Sequence, residues 1–110
     1  MGIFGLRTKP FQEKPASEVS ASWPKNGIVL LDVRSEKEFQ DGHVPGSLNL
    51  NMMGPGFQGK LEKLDKAKEY YVLCRSVNRS SAAAGLMVRK GFQKVTNLRG
   101  GIMKWEGELK

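Results

Sequence analysis

The sequence predicts an α/β protein built on a largely parallel sheet, and three observations carry that prediction. First, apolar runs without polar alternation recur at Ile28-Val29-Leu30-Leu31 and Tyr70-Tyr71-Val72-Leu73. Such a run suits a strand buried on both faces, as in a parallel sheet. Second, each run leads through a short polar stretch into a helix signal: the capping box Ser35-Glu36-Lys37-Glu38 after the first, and Ser81 to Lys90 after the second. Third, a further short run, Val95-Thr96-Asn97-Leu98, closes the series. Strands alternating with helices imply a parallel sheet with right-handed crossovers.

The remaining elements follow in order. Pro10 and Pro15 bracket an extended segment with room for an edge strand. Ala16 to Ser22 reads as a short helix ended near Pro24. Phe39 is expected to face the core from the helix opened by the capping box. Ser47-Leu48-Asn49-Leu50 reads as a short strand, and Met52 to Gly59 as a glycine-rich loop. Leu61 and Leu64 mark a short amphipathic helix. Gly91 can stop the Ser81 helix in a left-handed cap. Gly100-Gly101 turns into a terminal helix carrying Met103 and Trp105, the latter expected in the core.

At 110 residues the chain is read as one domain. Residues 1–14 are set apart as an N-terminal extended segment and 15–110 as the domain. Met1 to Lys14 is too polar for a secretory signal and too short to span a bilayer. Leu6 stands where a myristoylation motif has Ser or Thr. The cytoplasm is therefore the expected compartment, with no membrane partner, and a monomer is expected. The net charge of +7 favours anionic partners. The basic residues are spread along the chain without an aromatic-interleaved patch, so a solvated basic surface is expected rather than nucleic-acid binding. A single cysteine makes no internal disulfide, and one His with one Cys makes no ordinary zinc site. No metal and no organic cofactor are expected.

That cysteine organises the functional reading. Cys74 opens the stretch Cys74-Arg75-Ser76-Val77-Asn78-Arg79-Ser80, between the end of a strand and the start of a helix. Unpartnered N–H groups and the helix dipole stabilise an anion at such a place, and Arg75 and Arg79 add positive charge. These features favour a thiolate and an anionic substrate. Inert packing, the ordinary role of a lone cysteine, is disfavoured by its polar neighbours. Asp32 and Arg34 end the first buried strand. They either support the site electrostatically or pair with each other and nearby backbone to fix the loop, the second being favoured. His43, in Gly42-His43-Val44-Pro45-Gly46, is read as a structural turn residue ahead of a general base.

The loop resembles that of the rhodanese family, whose common form is Cys-Arg-x-Gly-x-Arg-Ser. Leu30-Leu31-Asp32-Val33-Arg34 with Glu38-Phe39 and Gly42 to Ser47 is similar to the family's N-terminal signature. Gly91-Phe92, Val95 and Leu98 to Trp105 are similar to its C-terminal one. Val77 stands where the loop commonly has glycine, and a branched side chain disfavours a positive φ there. The resemblance implies a three-layer α/β fold, with a central five-stranded, mostly parallel sheet and helices on both faces. It also implies sulfurtransferase activity. Cys74 would carry a sulfane sulfur as a persulfide. Arg75, Ser76, Val77, Asn78 and Arg79 would bind the donor, with Ser80, Asp32 and Arg34 in support.

Loop length separates this chemistry from its neighbours. Cysteine-based phosphatases place arginine six positions after the cysteine; here Arg79 is five positions after Cys74, and Leu73 precedes the cysteine. A phosphatase or arsenate reductase is the lesser alternative, and a binding or regulatory module without turnover is another. The expected donor is a small sulfur anion such as thiosulfate. With no second cysteine in the chain, the acceptor is expected to be cyanide, a small thiol or another protein's cysteine.

Overall fold

A computed structural model describes residues 10–76 and 78–110. Five strands form one sheet: β1 (Gln12–Pro15), β2 (Ile28–Asp32), β3 (Leu48–Asn49), β4 (Glu69–Leu73) and β5 (Lys94–Arg99). Their order across the sheet is β1-β5-β4-β2-β3, and every pair is parallel. The edge strand between the prolines is thus real, and Gln12 to Lys14 belong to the sheet. The helices are α1 (Ala16–Ser20), α2 (Glu36–Asp41), α3 (Phe57–Glu62) and α4 (Arg79–Arg89), followed by a 3₁₀ turn, Gly101–Lys104.

The apolar runs split between the two faces with period two. Leu31, Tyr70, Val72 and Val95 pack under Phe57 and Leu61 of α3 and Ala83, Ala84 and Met87 of α4. Leu30, Tyr71, Leu73 and Leu98 pack on the other face with Ala16, Val19, Val44 and Trp105. Each fully buried aliphatic side chain contributes about 1.5–3 kcal/mol of transfer free energy, which explains why β2 and β4 carry no polar alternation.

Helix ends follow their local signals closely. Ser35 Oγ accepts from the Glu38 N–H at 3.2 Å, while Glu38 Oε1 accepts from the Ser35 N–H at 3.0 Å, completing the capping box. After α4, Gly91 takes φ +99°. Its N–H donates to the Val88 carbonyl, and the Phe92 N–H to that of Met87, both at 3.0 Å. These are the two bonds of a Schellman cap, with Phe92 and Met87 packed in the same core.

Four expectations need correction. The Met52 to Gly59 loop ends early, because Phe57 is buried and starts α3, whose last residue is Glu62; Leu64 packs just beyond it. The first helix stops at Ser20, where the Ser20 hydroxyl turns back to the Ser17 carbonyl at 2.8 Å. The terminal helix is only a 3₁₀ turn, and Trp105 follows it in extended conformation, buried against Trp23. Phe39 does not enter the core: it is half-buried and stacked on His43 at 3.8 Å.

Candidate active site

β4 ends at Leu73, and Cys74 is the first residue beyond it. In this sheet the carboxyl ends of the central strands lie side by side, Asp32 of β2 opposite Leu73 of β4. Open α/β sheets present their ligand sites at that edge. The turn after β4 is held from below by the 3₁₀ segment. The Ile102 N–H donates to the Cys74 carbonyl at 2.9 Å, and the Met103 N–H donates to the Arg75 carbonyl at 3.1 Å.

This anchor requires Gly101. Its φ is +61°, and a Cβ there would lie 2.5 Å from the Arg75 carbonyl oxygen and 2.6 Å from that of Cys74. The two backbones approach too closely for any side chain. Sequence reasoning assigned Gly100-Gly101 only to a turn. A glycine pair preceding a helix was the available signal, but nothing local says which carbonyls the next N–H groups will meet.

Cys74 itself is buried, with 1 % of its surface exposed, and its thiol is hydrogen-bonded to the Ser80 hydroxyl at 3.2 Å. Ser80 lies in the first turn of α4, which starts at Arg79 rather than Ser81. Its N-cap residue, Asn78, has φ +27° and ψ −56°, a positive φ outside the left-handed helical region. Cys74, Arg75, Ser76, Asn78 and Arg79 together line an open cleft. Five of the residues expected from sequence are thereby brought together, with Ser80 behind the sulfur. Val77 lies outside the described residues.

The two loop arginines are in different situations. Arg79 makes a forked contact with Glu38, its two terminal nitrogens donating to Oε1 and Oε2 at 2.8 and 2.9 Å. The guanidinium holds the Glu38 carboxyl down at about 2; partial burial opposes this, and the Ser35 N–H and hydroxyl assist it. Glu38 in turn raises Arg79 above its ordinary value, with Cys74 and Asp32 adding to the effect. Glu38 therefore caps α2 and ties that helix to the start of α4. Arg75 is exposed and makes no side-chain hydrogen bond or ion pair among the described residues.

Asp32 and Arg34 take the bracing role that the sequence favoured. Asp32 is fully buried and Arg34 is 5 % exposed. Arg34 Nε donates to Asp32 Oδ1 at 2.9 Å, its Nη2 to Oδ2 at 2.8 Å, and its backbone N–H to Oδ1 at 3.0 Å. Nη2 also reaches the Gly42 carbonyl at 2.8 Å. Neither residue lines the Cys74 cleft. Asn49, not singled out from sequence, completes the corner: its Nδ2 donates to the carbonyls of Asp32 at 3.0 Å and Arg34 at 2.9 Å. His43 is a turn residue, with Nδ1 2.8 Å from the Phe39 carbonyl and its ring on the Phe39 ring.

Known proteins bear on this geometry. The family described as "Rhodanese-like domain" matches residues 15–108. YtwF of Bacillus subtilis, provisionally named a sulfurtransferase, is 40% identical over 83 residues, covering 76% of this chain and 78% of its own. The thiosulfate sulfurtransferase GlpE of Pseudomonas savastanoi is 35% identical over 81 residues, covering 74% of each chain. A rhodanese-related protein of Thermoplasma volcanium superposes with a TM-score of 0.79 at 24% identity, over 91% of this chain and 98% of that one. The five-stranded parallel sheet with its helices is the fold that superposes on this last protein. Among the described residues, no helix is long and apolar enough to cross a membrane.

Proposed function

The chain belongs to the Rhodanese-like domain family and is, at the level of that family, a rhodanese-type sulfurtransferase; from that premise we propose that Cys74 carries a sulfane sulfur between a small anionic donor and a thiophilic acceptor. The carrying observation is the placement of the chain's one cysteine at the floor of a cleft, bonded to Ser80 and flanked by the exposed cation Arg75.

With thiosulfate as donor, the Cys74 thiolate attacks the outer sulfur. A bond forms between Sγ and that sulfur, and the sulfur–sulfur bond of the donor breaks. Its electron pair leaves with sulfite, and the enzyme holds a persulfide. Covalent catalysis of this kind divides one hard step into two easier ones. Arg75 draws in the donor and offsets charge on the departing sulfite. Arg79, tied to Glu38, keeps the start of α4 directed at the sulfur, where first-turn N–H groups lack helical partners. Ser80 donates to the sulfur in its anionic state. The acceptor, cyanide or a thiol, then removes the outer sulfur and restores the thiolate.

Intact-protein mass spectrometry after incubation with thiosulfate tests this reading. The parent should gain one sulfur and lose it to cyanide. Cys74→Ser, nearly isosteric and still folded by circular dichroism, should gain none and turn nothing over. A parent that keeps a plain thiol with every donor tried would instead mark the domain as a binding module.

A further inference from the structure

Beside the Cys74 cleft lies a second one. Ser76 and Asn78 line both, so the two adjoin across the loop. Ser81 of α4, Asn97 and Arg99 of β5 and Glu13 of β1 complete its wall. Asn97 lies two residues along β5 from Val95, on the face covered by α4, and opposite Glu13 in the register.

Asn97 is the informative residue. It is 5 % exposed, and its Nδ2 donates to Glu13 Oε2 at 3.1 Å. Its side-chain oxygen is buried and has no hydrogen-bond partner among the described residues. Folded proteins seldom leave such an acceptor empty, because the desolvation is uncompensated. An N–H or O–H from a bound ligand would satisfy the oxygen. Two residues on, Arg99 is exposed and forms no ion pair among the described residues. The cleft therefore asks for a donor group and an anionic group a short distance apart. Thiosulfate and cyanide have no N–H to give. An amino-acid thiol has both groups, and its sulfur is only two bonds from the carbon that bears them.

We infer that this cleft is the acceptor subsite for a small amino-acid thiol, of which cysteine is the simplest. The inference rests on Cys74 being the sulfur carrier. The acceptor's amino or amide N–H donates to Asn97 Oδ1, and its carboxylate pairs with Arg99. This places its sulfur over the loop at Cys74. The thiol gives its proton to solvent, and the resulting thiolate attacks the outer sulfur of the Cys74 persulfide. A new sulfur–sulfur bond forms on the acceptor as the Sγ–sulfur bond breaks. The electron pair returns to Cys74, so the products are an enzyme thiolate and an acceptor persulfide, with no net oxidation.

The test is single-turnover discharge of protein preloaded with thiosulfate, with sulfur loading checked by mass before any acceptor is added. L-Cysteine, 3-mercaptopropionate (carboxylate only), cysteamine (amine only), 2-mercaptoethanol and cyanide are compared, the thiols at equal thiolate concentration. Cysteine should discharge the persulfide about tenfold faster than 2-mercaptoethanol, the scale of one charge-assisted hydrogen bond, with the two half-probes between them. Arg99→Ala should bring 3-mercaptopropionate close to 2-mercaptoethanol and cysteine down to the rate of cysteamine, and Arg99→Lys should keep part of the carboxylate preference. Cyanide discharge should be unchanged in both variants. Equal rates for all thiols in the parent would overturn the subsite, as would an Arg99→Ala that slows cyanide as much as cysteine. Rapid discharge to a reduced protein thiol, with no preference for cysteine over 2-mercaptoethanol, would also overturn it and assign the face to a macromolecule. Failure to load sulfur is a different result: it removes the carrier reading itself, and the subsite with it.

Discussion

At the end of β2, an aspartate and an arginine are buried against each other; at the end of β4, one strand over, a cysteine and an arginine line an open cleft. Both corners follow buried parallel strands, and both lead into a capped or dipole-bearing helix. The difference lies in what is satisfied. Asp32 and Arg34 use their donors and acceptors on one another, on Gly42 and, through the backbone, on Asn49. Both carboxylate oxygens of Asp32 are occupied by Arg34, and Arg34 Nε and Nη2 are spent on Asp32 and Gly42. In the Cys74 loop the structural work is done by neighbours: Glu38 holds Arg79, and the 3₁₀ turn holds the Cys74 and Arg75 carbonyls. The Arg75 guanidinium stays without a hydrogen bond or ion pair among the described residues, beside Cys74 in the cleft. Charged residues at strand ends do not by themselves mark a site; the ones left unmatched do.

The sharpest way to break this contrast is to unbalance the buried corner. Asp32→Ala leaves Arg34 charged, buried and unpaired, a loss of about 3–5 kcal/mol. Urea unfolding of Asp32→Ala should show it as a lowered midpoint. A loss below about 1 kcal/mol would mean that Arg34 escapes to water and that the corner is not a brace.

Gly101→Ala attacks the anchor beneath the loop. A left-handed backbone carrying a side chain costs about 1–3 kcal/mol, and the new methyl meets the two loop carbonyls besides. The variant should melt lower and load sulfur more slowly at temperatures where it is fully folded. Normal loading in a folded Gly101→Ala would show that the loop does not depend on this contact.

The Glu38–Arg79 contact is half-buried and should be worth about 1–2 kcal/mol, between an exposed and a buried charged pair. Its pH dependence has a definite sign. Glu38 is lowered to about 2 in the folded protein, below its ordinary 4.5. Its contribution is therefore complete above the unfolded value and is lost as the pH falls from about 4.5 towards 2. Melting temperatures of the parent and Glu38→Gln, followed through that window, should converge as the solution is acidified. Parallel curves would remove Glu38 from the account.

Arg75→Ala should have the smallest effect on the fold and still separate the two corners. Stability should change by no more than about 0.5 kcal/mol, since the side chain is exposed. The kcat/KM for thiosulfate should fall about tenfold, with weaker salt dependence, and Arg75→Lys should recover part of it. Unchanged kinetics would leave attraction of the donor to the helix terminus alone.

Local chemistry wrote much of this molecule into its sequence. The buried strands, the Ser35–Glu38 box, the Gly91 cap and the position of Cys74 between strand and helix all follow from residues within a turn or two of each other. The Asp32–Arg34 pair was equally readable, because two residues of separation at a strand end leave few other partners. Only the tertiary structure decided the rest. Glu38 and Arg79 are 41 residues apart, and no local signal shows that the capping carboxylate has a second oxygen within reach of the Cys74 loop. Gly101 reads as a turn until β5 is laid beside β4 and brings it against the carbonyls of Cys74 and Arg75. Asn97 is one of several polar residues in β5 until α4 and β1 close around it and leave its oxygen unmatched among the described residues. Hydrogen-bond needs are local properties of residues, but which of them are met depends on what the fold brings within 3 Å.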